Sequence, residues 1–532
     1  MIVEDVRDSV AEAVAAQFKV TDIVPEITHP ETQFGDLATN VAFRLAATLK
    51  RSPQEIAAEL ATALAGGDID EAVAVNGYVN IRLKNQVWVG QLKTVTKDYG
   101  RSQEGKGTKV QVEFISANPT GPTTIGNARG GYLGDTLARV LEYQGYDVTR
   151  EYYFNNAGTQ ISKLVESVKA SAGLVKIPDS EIQYRGAYIE ELAHDYTAQL
   201  RSLPDPELRH LLTQAILERW IRPAIAQMGI HFDVWFNEQD LITDGSFEDT
   251  IKKLRDQGLV YAQDGAVWLD TGKLGVKREA RVIVKSNGDP TYLAPDIAYH
   301  DQLFGKRGFD RAIKVLGPDH LDQFPSVKAA VLALHPDKQL DIASHQWFRL
   351  IRDGKEVKVS KRRGQFVTIA ELIEEVGPDV ARFMTLQRSA DSPMDFDLGL
   401  AKEQSHKNPL WYVMYAYSRA HSIMEQASKR GLAPINTLTR LSGEEVALVR
   451  QISRFPALVT DIAADYGVHR LTFFGIEVAR LFHDLYESER IIGLDKGQAS
   501  RRLFVVAQFI TFMEVYFDLL GITPVKHMES TD

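Results

Sequence analysis

NPTGPTTIGNARGGYLGD, residues 118–135, carries two prolines and five glycines just where an apolar periodic run begins. It follows the strand pattern KVQVEF and opens a helix that the spacing predicts over about 125–144. That places it at the carboxyl end of a strand, where open α/β sheets bind ligands. A helix N-terminus offers unpaired N–H groups and a partial positive charge, and glycines let a phosphate approach the backbone. Thr124 and Asn127, three apart, project neutral hydrogen-bonding groups from one face. Spacing alone serves a nucleotide loop and a simple helix cap equally, since the stretch matches neither the P-loop nor the dinucleotide pattern.

Working outward, residues 109 to about 400 alternate strand and helix: KVQVEF, the helix from 125, DVTREYYF, RAIKVLG, SVKAAVLALH and HQWFRLI. Such alternation predicts an α/β parallel sheet with crossover helices. Between about 160 and 260 the pattern is mainly helical, an expected insertion. Residues 1 to about 100 mix amphipathic helices (around 3–17, 35–49 and 53–65) with the short strand GYVNIRLK, an α+β domain closed by the linker-like YGRSQEGKGTK. From 401 to 532 nearly all reads as helix, an all-α bundle. The expected domains are thus 1–100, 101–400 and 401–532.

A chain of 532 residues exceeds the size of one core, and 44% hydrophobic with 25% charged residues is an ordinary globular composition. It has no cysteine, which removes disulfides, thiol nucleophiles and cysteine-bound zinc, and its 13 histidines form no HExxH pair. No zinc held by the protein is expected. No apolar run is seen to approach the roughly 18 residues of a membrane span, and the N-terminus reads as an acidic amphipathic helix, so no membrane and a cytoplasmic location are expected. The net charge of −10 opposes a polyanion only weakly, because nucleic-acid binding follows the local field. KVSKRRGQF (358–366) and Arg440, Arg450, Arg454, Arg470, Arg480, Arg490, Arg501 and Arg502 supply local positive charge, although solvated helix faces are their simpler reading.

Glu113 ends an apolar strand, and a carboxylate there is costly unless it meets a cation. Tyr292 and Asp296 of TYLAPD are four apart, the spacing of an ordinary surface pair or of one face of a site. Thr368 and Glu371 have capping-box spacing just after KVSKRRGQF.

TIGN in the opening stretch resembles the HIGH motif of the class I aminoacyl-tRNA synthetases, and KVSKR (358–362) resembles their KMSKS motif. Flanking text resembles the arginyl-tRNA synthetase family in particular: FGDLATNVAFRLA, EFISANPTGP, TYLAPDIAYH, VLGPDH, SADSPMDFDLGLAKEQSHKNPLWYVMYAYSRAHSI and LLGITPVKHM. The resemblance implies a Rossmann-type catalytic domain with a helical insertion, between a domain contacting the tRNA elbow and an anticodon-reading bundle. It implies L-arginine, ATP and tRNA(Arg) as partners, with Mg2+ arriving on the nucleotide, and activation that often requires tRNA. It assigns Glu113, Asn118, Tyr292, Asp296 and His320 to arginine. Pro122, Thr124, Gly126, Asn127, Lys358, Ser360 and Lys361 fall to ATP, with Thr124, Asn127, Lys358 and Lys361 catalytic. Three positions depart from the pattern: Thr124 and Asn127 stand for the two histidines of HIGH, and Val359 for the methionine of KMSKS. A catalytically silent tRNA-binding paralogue and a class I enzyme for another amino acid therefore stay open, and a monomer is expected.

Overall fold

The computed structural model describes residues 2–357, 367–488, 490–493 and 495–528. The chain divides into two compact units, one of residues 1–99, 416–455 and 477–513, the other of residues 100–415, 456–476 and 514–532.

The second unit is built on five parallel strands in the spatial order Gln339–Ser344, Arg311–Leu316, Lys109–Glu113, Asp147–Phe154, Val234–Asn237. The central strand is buried from Val110 to Glu113, as expected where both faces of a parallel sheet are covered. Its ladder puts Glu113 level with Lys314 on one neighbour and with Glu151 on the other. Side chains level on adjacent strands share a face, so three charges stand in a row at the carboxyl edge. Helix Leu293–Gly305 lies beside this face and is buried at nearly every position from Leu293 to Phe304. The range 160–260 is helical up to Gln227, but Val234–Asn237 within it is the fifth strand of the sheet. Four residues between helices are too short for periodicity to reveal. HQWFRLI also forms a strand, Phe348–Arg352, yet it belongs to a small separate sheet with Lys355–Glu356 and Met394–Asp397.

The first unit begins with helix Ile2–Phe18, which buries Ile2, Val6, Val10, Val14 and Phe18 along one stripe. Its antiparallel sheet runs in the order Ile27–Thr28, Leu37–Thr39, Tyr78–Leu83, Ile69–Val75. The helix expected over 35–49 is instead strand Leu37–Thr39 followed by helix Val41–Leu49. Asp36 decides this: its N–H donates to the Ile81 carbonyl at 2.8 Å and its carboxylate accepts from the Leu83 N–H at 2.8 Å, pinning the segment to the neighbouring strand.

From Pro409 on, every described element is a helix. One of them, Lys496–Leu520, corrects the reading that no run approaches a membrane span: at 25 residues it is long and apolar enough by length and composition, although 61% of its most apolar window is buried within the protein. Gln508, Glu514 and Asp518 interrupt the apolar run and hide its length. The Gln508 amide donates to the Leu92 and Val95 carbonyls at 2.9 and 2.8 Å, the behaviour of a core helix.

Candidate active site

The charged row at the sheet edge is completed from helix Leu293–Gly305. Asp296 Oδ1 accepts from Lys314 Nζ at 2.8 Å, and Glu113 Oε2 lies 3.4 Å from the same ammonium. Glu113 is 2% exposed and Lys314 8%, whereas the Asp296 side chain keeps 31% of its surface. One buried cation thus stands between two carboxylates, and Asp296 is the more open of the two. Burial pushes Glu113 above the usual carboxylate range while Lys314 pulls it back. Burial likewise opposes the Lys314 charge, yet Asp296 and Glu113 outweigh it and raise this ammonium above its ordinary value.

The third charge of the row, Glu151, is taken up by Arg307, which donates to both its oxygens, and by the Tyr299 hydroxyl at 2.8 Å. Gln111 donates in turn to that hydroxyl at 2.8 Å. A fourth acid, Glu238, accepts from the Tyr153 hydroxyl at 2.6 Å and from the Asn155 amide; burial raises its pKa. Lys314 Nζ sits 5.6 and 5.9 Å from the Tyr153 and Tyr299 ring centres, a cation enclosed by aromatic faces.

Asn118 joins this network at its edge. Its carbonyl oxygen accepts from the Asn155 N–H at 3.1 Å and its amide donates to Gln160 at 3.0 Å. Tyr292 stands apart: it is 72% exposed and lines a cavity of about 140 Å3 with Arg281, Thr291 and Gln323. The backbone of His320 ends a short helical turn from Pro318, and its side chain lies outside what is described.

The TIGN stretch forms a helical turn, Ile125–Asn127, that leads into helix Ala128–Tyr143. Asn127 Oδ1 accepts from both the Thr124 N–H and the Thr124 hydroxyl at 3.3 Å, so these two residues cap the turn through each other. The Asn127 amide is thereby turned with its oxygen inward. The expectation that the glycines open the backbone to a phosphate is corrected at three positions. A Cβ on Gly130 would come within 2.9 Å of His345, on Gly131 within 2.8 Å of Met228 and on Gly134 within 2.3 Å of Phe114, so these glycines serve close helix packing. Gly126 alone of the turn is exposed, and a Cβ added there would come no closer than 3.7 Å to a neighbour, the Thr124 hydroxyl.

Backbone bonds fasten this turn to the segment after KVSKRRGQF: Ile125 N–H donates to the Val367 carbonyl at 3.2 Å and Ile369 N–H to the Thr123 carbonyl at 3.0 Å. Thr368 and Glu371 form the expected capping box, with the Glu371 N–H donating to the Thr368 hydroxyl at 3.1 Å. Residues 367–369, beyond the second motif, therefore lie against the first. Lys358, Ser360 and Lys361 themselves fall outside the described residues.

Lys314, Glu151, Arg307, Tyr299, Tyr153 and Glu238 are absent from the sequence reading. Lys314 carried a signal, since it interrupts an apolar strand as Glu113 does; the others become neighbours only through the fold. A second cavity, of about 360 Å3, opens beyond Ser344 among Arg388, Asp391, His469 and Arg470, away from this cluster.

Family models match along the chain: "Arginyl tRNA synthetase N terminal domain" over residues 2–83, "tRNA synthetases class I (R), catalytic domain" over 91–390 and "DALR anticodon binding domain" over 413–528. An arginine–tRNA ligase of Desulfotalea psychrophila is 40% identical over 518 residues, covering 93% of each chain. That of Aquifex aeolicus is 37% identical over 556 residues, covering 94% of this chain and 95% of its own. Among solved structures, arginyl-tRNA synthetase of Thermus thermophilus superposes with a TM-score of 0.77 over 99% of this chain and 100% of its own, at 21% identity, a likeness of fold.

Proposed function

The chain belongs to the arginyl-tRNA synthetase family, and on that footing we propose how its residues divide the work. It is an arginine–tRNA ligase that uses ATP to charge tRNA with arginine. With relatives of this activity along nearly the whole chain, neither a silent tRNA-binding paralogue nor an enzyme for another amino acid is favoured.

The observation that carries the site assignment is the sharing of one ammonium by Glu113 and Asp296 at the carboxyl edge of the sheet. A guanidinium approaching the open side of Asp296 meets an acid pair held in a buried frame, where charged hydrogen bonds are strong. Asn118 and Tyr292 would hold the rest of the amino acid and His320 would line the same pocket. Tyr292 reaches it only by turning in from its exposed position.

Pro122, Thr124, Gly126 and Asn127 would receive ATP at the helix start, and Lys358, Ser360 and Lys361 would close over its phosphates. One arginine carboxylate oxygen attacks the α-phosphorus, the bond to the bridging oxygen breaks, and pyrophosphate leaves with that bond's electrons. A hydroxyl of the terminal adenosine of tRNA then attacks the activated carbonyl, the acyl–oxygen bond of the anhydride breaks, AMP departs with that bond's electrons, and the hydroxyl proton is released to solvent. No protein nucleophile is needed; positioning and electrostatics supply the rate. Among the described residues no group of acids and histidines is arranged to hold a metal, and Glu113, Asp296 and Glu151 are engaged by cations, so Mg2+ fits as a companion of the phosphates. The three parts at 1–100, 101–400 and 401–532 would take the tRNA elbow, the chemistry and the anticodon, in a cytoplasmic monomer.

Arginine-dependent exchange of pyrophosphate into ATP, run with and without tRNA, tests this reading, and no exchange in either case would sink it. The turn has its own test. Thr124→Ser is expected to be mild, whereas Thr124→Ala and Asn127→Ala each slow adenylate formation by roughly 2–4 kcal/mol if they act as oxyanion-type donors. Loss of the mutual cap alone costs about 1 kcal/mol of stability. Single-turnover rates and melting curves on the same variants separate the two roles, and unchanged rates in both alanine variants would leave the turn as a cap.

A further inference from the structure

Lys314 belongs to no part of the assignment above, yet it lies at the centre of the proposed arginine subsite. It rises from strand Arg311–Leu316 with its ammonium 2.8 Å from Asp296 and 3.4 Å from Glu113. Around it stand Glu113 from the central strand, Tyr153 from Asp147–Phe154 with Glu238 behind it, and Asp296, Tyr299 and His300 from helix Leu293–Gly305, with the Glu151–Arg307 pair beyond. Among the described residues Glu113 Oε2 has no hydrogen-bond partner, and the Lys314 ammonium lies 3.4 Å from it.

Counting charges shows what this placement does. With all three groups ionised, Glu113, Asp296 and Lys314 sum to one negative charge, and one guanidinium brings the set to neutrality. Without the ammonium, two carboxylates would face each other in a poorly solvated place, and such a pair retains a proton that a guanidinium must displace. We propose that Lys314 is a positioning residue of the arginine subsite, the resident cation that keeps Glu113 and Asp296 ionised together in a set with one net negative charge. This rests on the reading of that site as the arginine site.

The sign follows from the surroundings of Glu113. Burial, Asp296 and Glu151 raise its pKa; Lys314 and the Ser116 hydroxyl lower it. Removing Lys314 leaves mainly the raising influences. Arginine needs the ionised acid, so affinity falls about tenfold for each pH unit below that pKa, and the acid limb must move up.

Calorimetry of L-arginine binding to the full chain, over a pH range wide enough to take in the acid limb of the parent, tests this with Lys314→Met and Lys314→Arg. In K314M the acid limb is expected at least one pH unit higher than in the parent, so below the parent's limb K314M binds about tenfold or more weaker, while the gap closes or reverses above the limb of K314M. In K314R, which keeps the charge, the limb stays at the wild-type pH. Equal weakening of K314M at every pH, or a limb in K314R displaced like that of K314M, overturns the proposal.

K314M leaves two buried acids uncompensated and has the greater risk of misfolding, so a charge-balanced comparison stands beside it. Glu113→Gln alone brings the site to zero net charge, and Glu113→Gln with Lys314→Met returns it to one negative charge. The double variant is expected to bind arginine about tenfold or more tighter than E113Q, and equal affinity overturns the proposal. Asp296→Asn separates the two levels of inference. If it leaves arginine affinity intact, the site itself is misassigned; if it weakens arginine while K314M moves no limb, Lys314 alone is.

Discussion

Asp135→Asn is expected to destabilise the unit that carries the site by about 3–5 kcal/mol at neutral pH, among the largest effects of any one-atom exchange in this protein. Asp135, the last residue of the opening stretch, is 1% exposed and faces three guanidiniums: Arg382 at 2.6 Å, Arg139 at 3.0 Å and Arg150 at 3.4 Å. Arg382 is itself 1% exposed, donates to the Leu520, Met228 and Gly229 carbonyls, and lies 5.0 Å from the centre of the Tyr132 ring. An amide of the same shape keeps the packing and removes the carboxylate paired with that buried arginine, leaving a desolvated cation among carbonyls.

The pH dependence has a definite sign. Burial alone would raise the Asp135 pKa, but the three arginines outweigh it and hold the carboxyl below its usual value. A depressed carboxylate contributes stability that is complete above the unfolded pKa of about 4 and is lost as pH falls through the folded value. The difference between parent and variant, read from denaturant midpoints, should therefore be constant near neutrality and shrink in acid. A variant as stable as the parent at neutral pH would show that the Asp135 charge does not hold these elements together.

The same stretch shows what sequence can and cannot convey. Its helix start and its place after a strand are local properties, written in prolines, glycines and the return of apolar periodicity. The use of its glycines is not local. Gly130, Gly131 and Gly134 look like a phosphate cradle in one dimension, but only the fold brings His345, Met228 and Phe114 over them. A helix packed closely on its sheet and a loop open to phosphate ask for the same residue type, for different reasons.

The site divides in a similar way. Glu113 was legible because an acid in an apolar strand needs a cation, and the missing partner could be sought in the substrate. RAIKVLG poses the same problem with the opposite sign, and joining the two needs the parallel register that sets Lys314 beside Glu113. Register between strands some 200 residues apart is a tertiary property that neither strand encodes alone. Asp296 was legible as a site residue by resemblance, but its 2.8 Å contact with Lys314 was not. Strand Leu37–Thr39 was lost for a related reason, since its apolar run is equally good helix until Asp36 is tied to Ile81 and Leu83.

Asp296→Asn is expected to weaken the use of arginine by about 2–5 kcal/mol while leaving the affinity for ATP nearly unchanged. The resident ammonium makes the loss greater than the removal of one hydrogen-bonding charge would suggest. In the parent, Asp296 and Glu113 together outnumber Lys314; in the variant, Glu113 at 3.4 Å is matched one to one by the ammonium, and the guanidinium meets a site with no net charge to offer. The effect belongs mainly to ground-state binding, because the guanidinium is charged before and after adenylate formation and takes no part in the bond changes. It should therefore appear as a raised KM for arginine, with kcat changed much less. Pyrophosphate exchange with tRNA present, titrated separately in arginine and in ATP, reads both quantities. Glu113 still faces Lys314, and the 31% exposure at position 296 lets water solvate the ammonium in part, so the variant should remain folded, and a melting curve checks that before the kinetics are compared. If folded Asp296→Asn activates arginine with the parent's KM, the guanidinium does not bind at this edge of the sheet and the acid pair must be assigned a structural role.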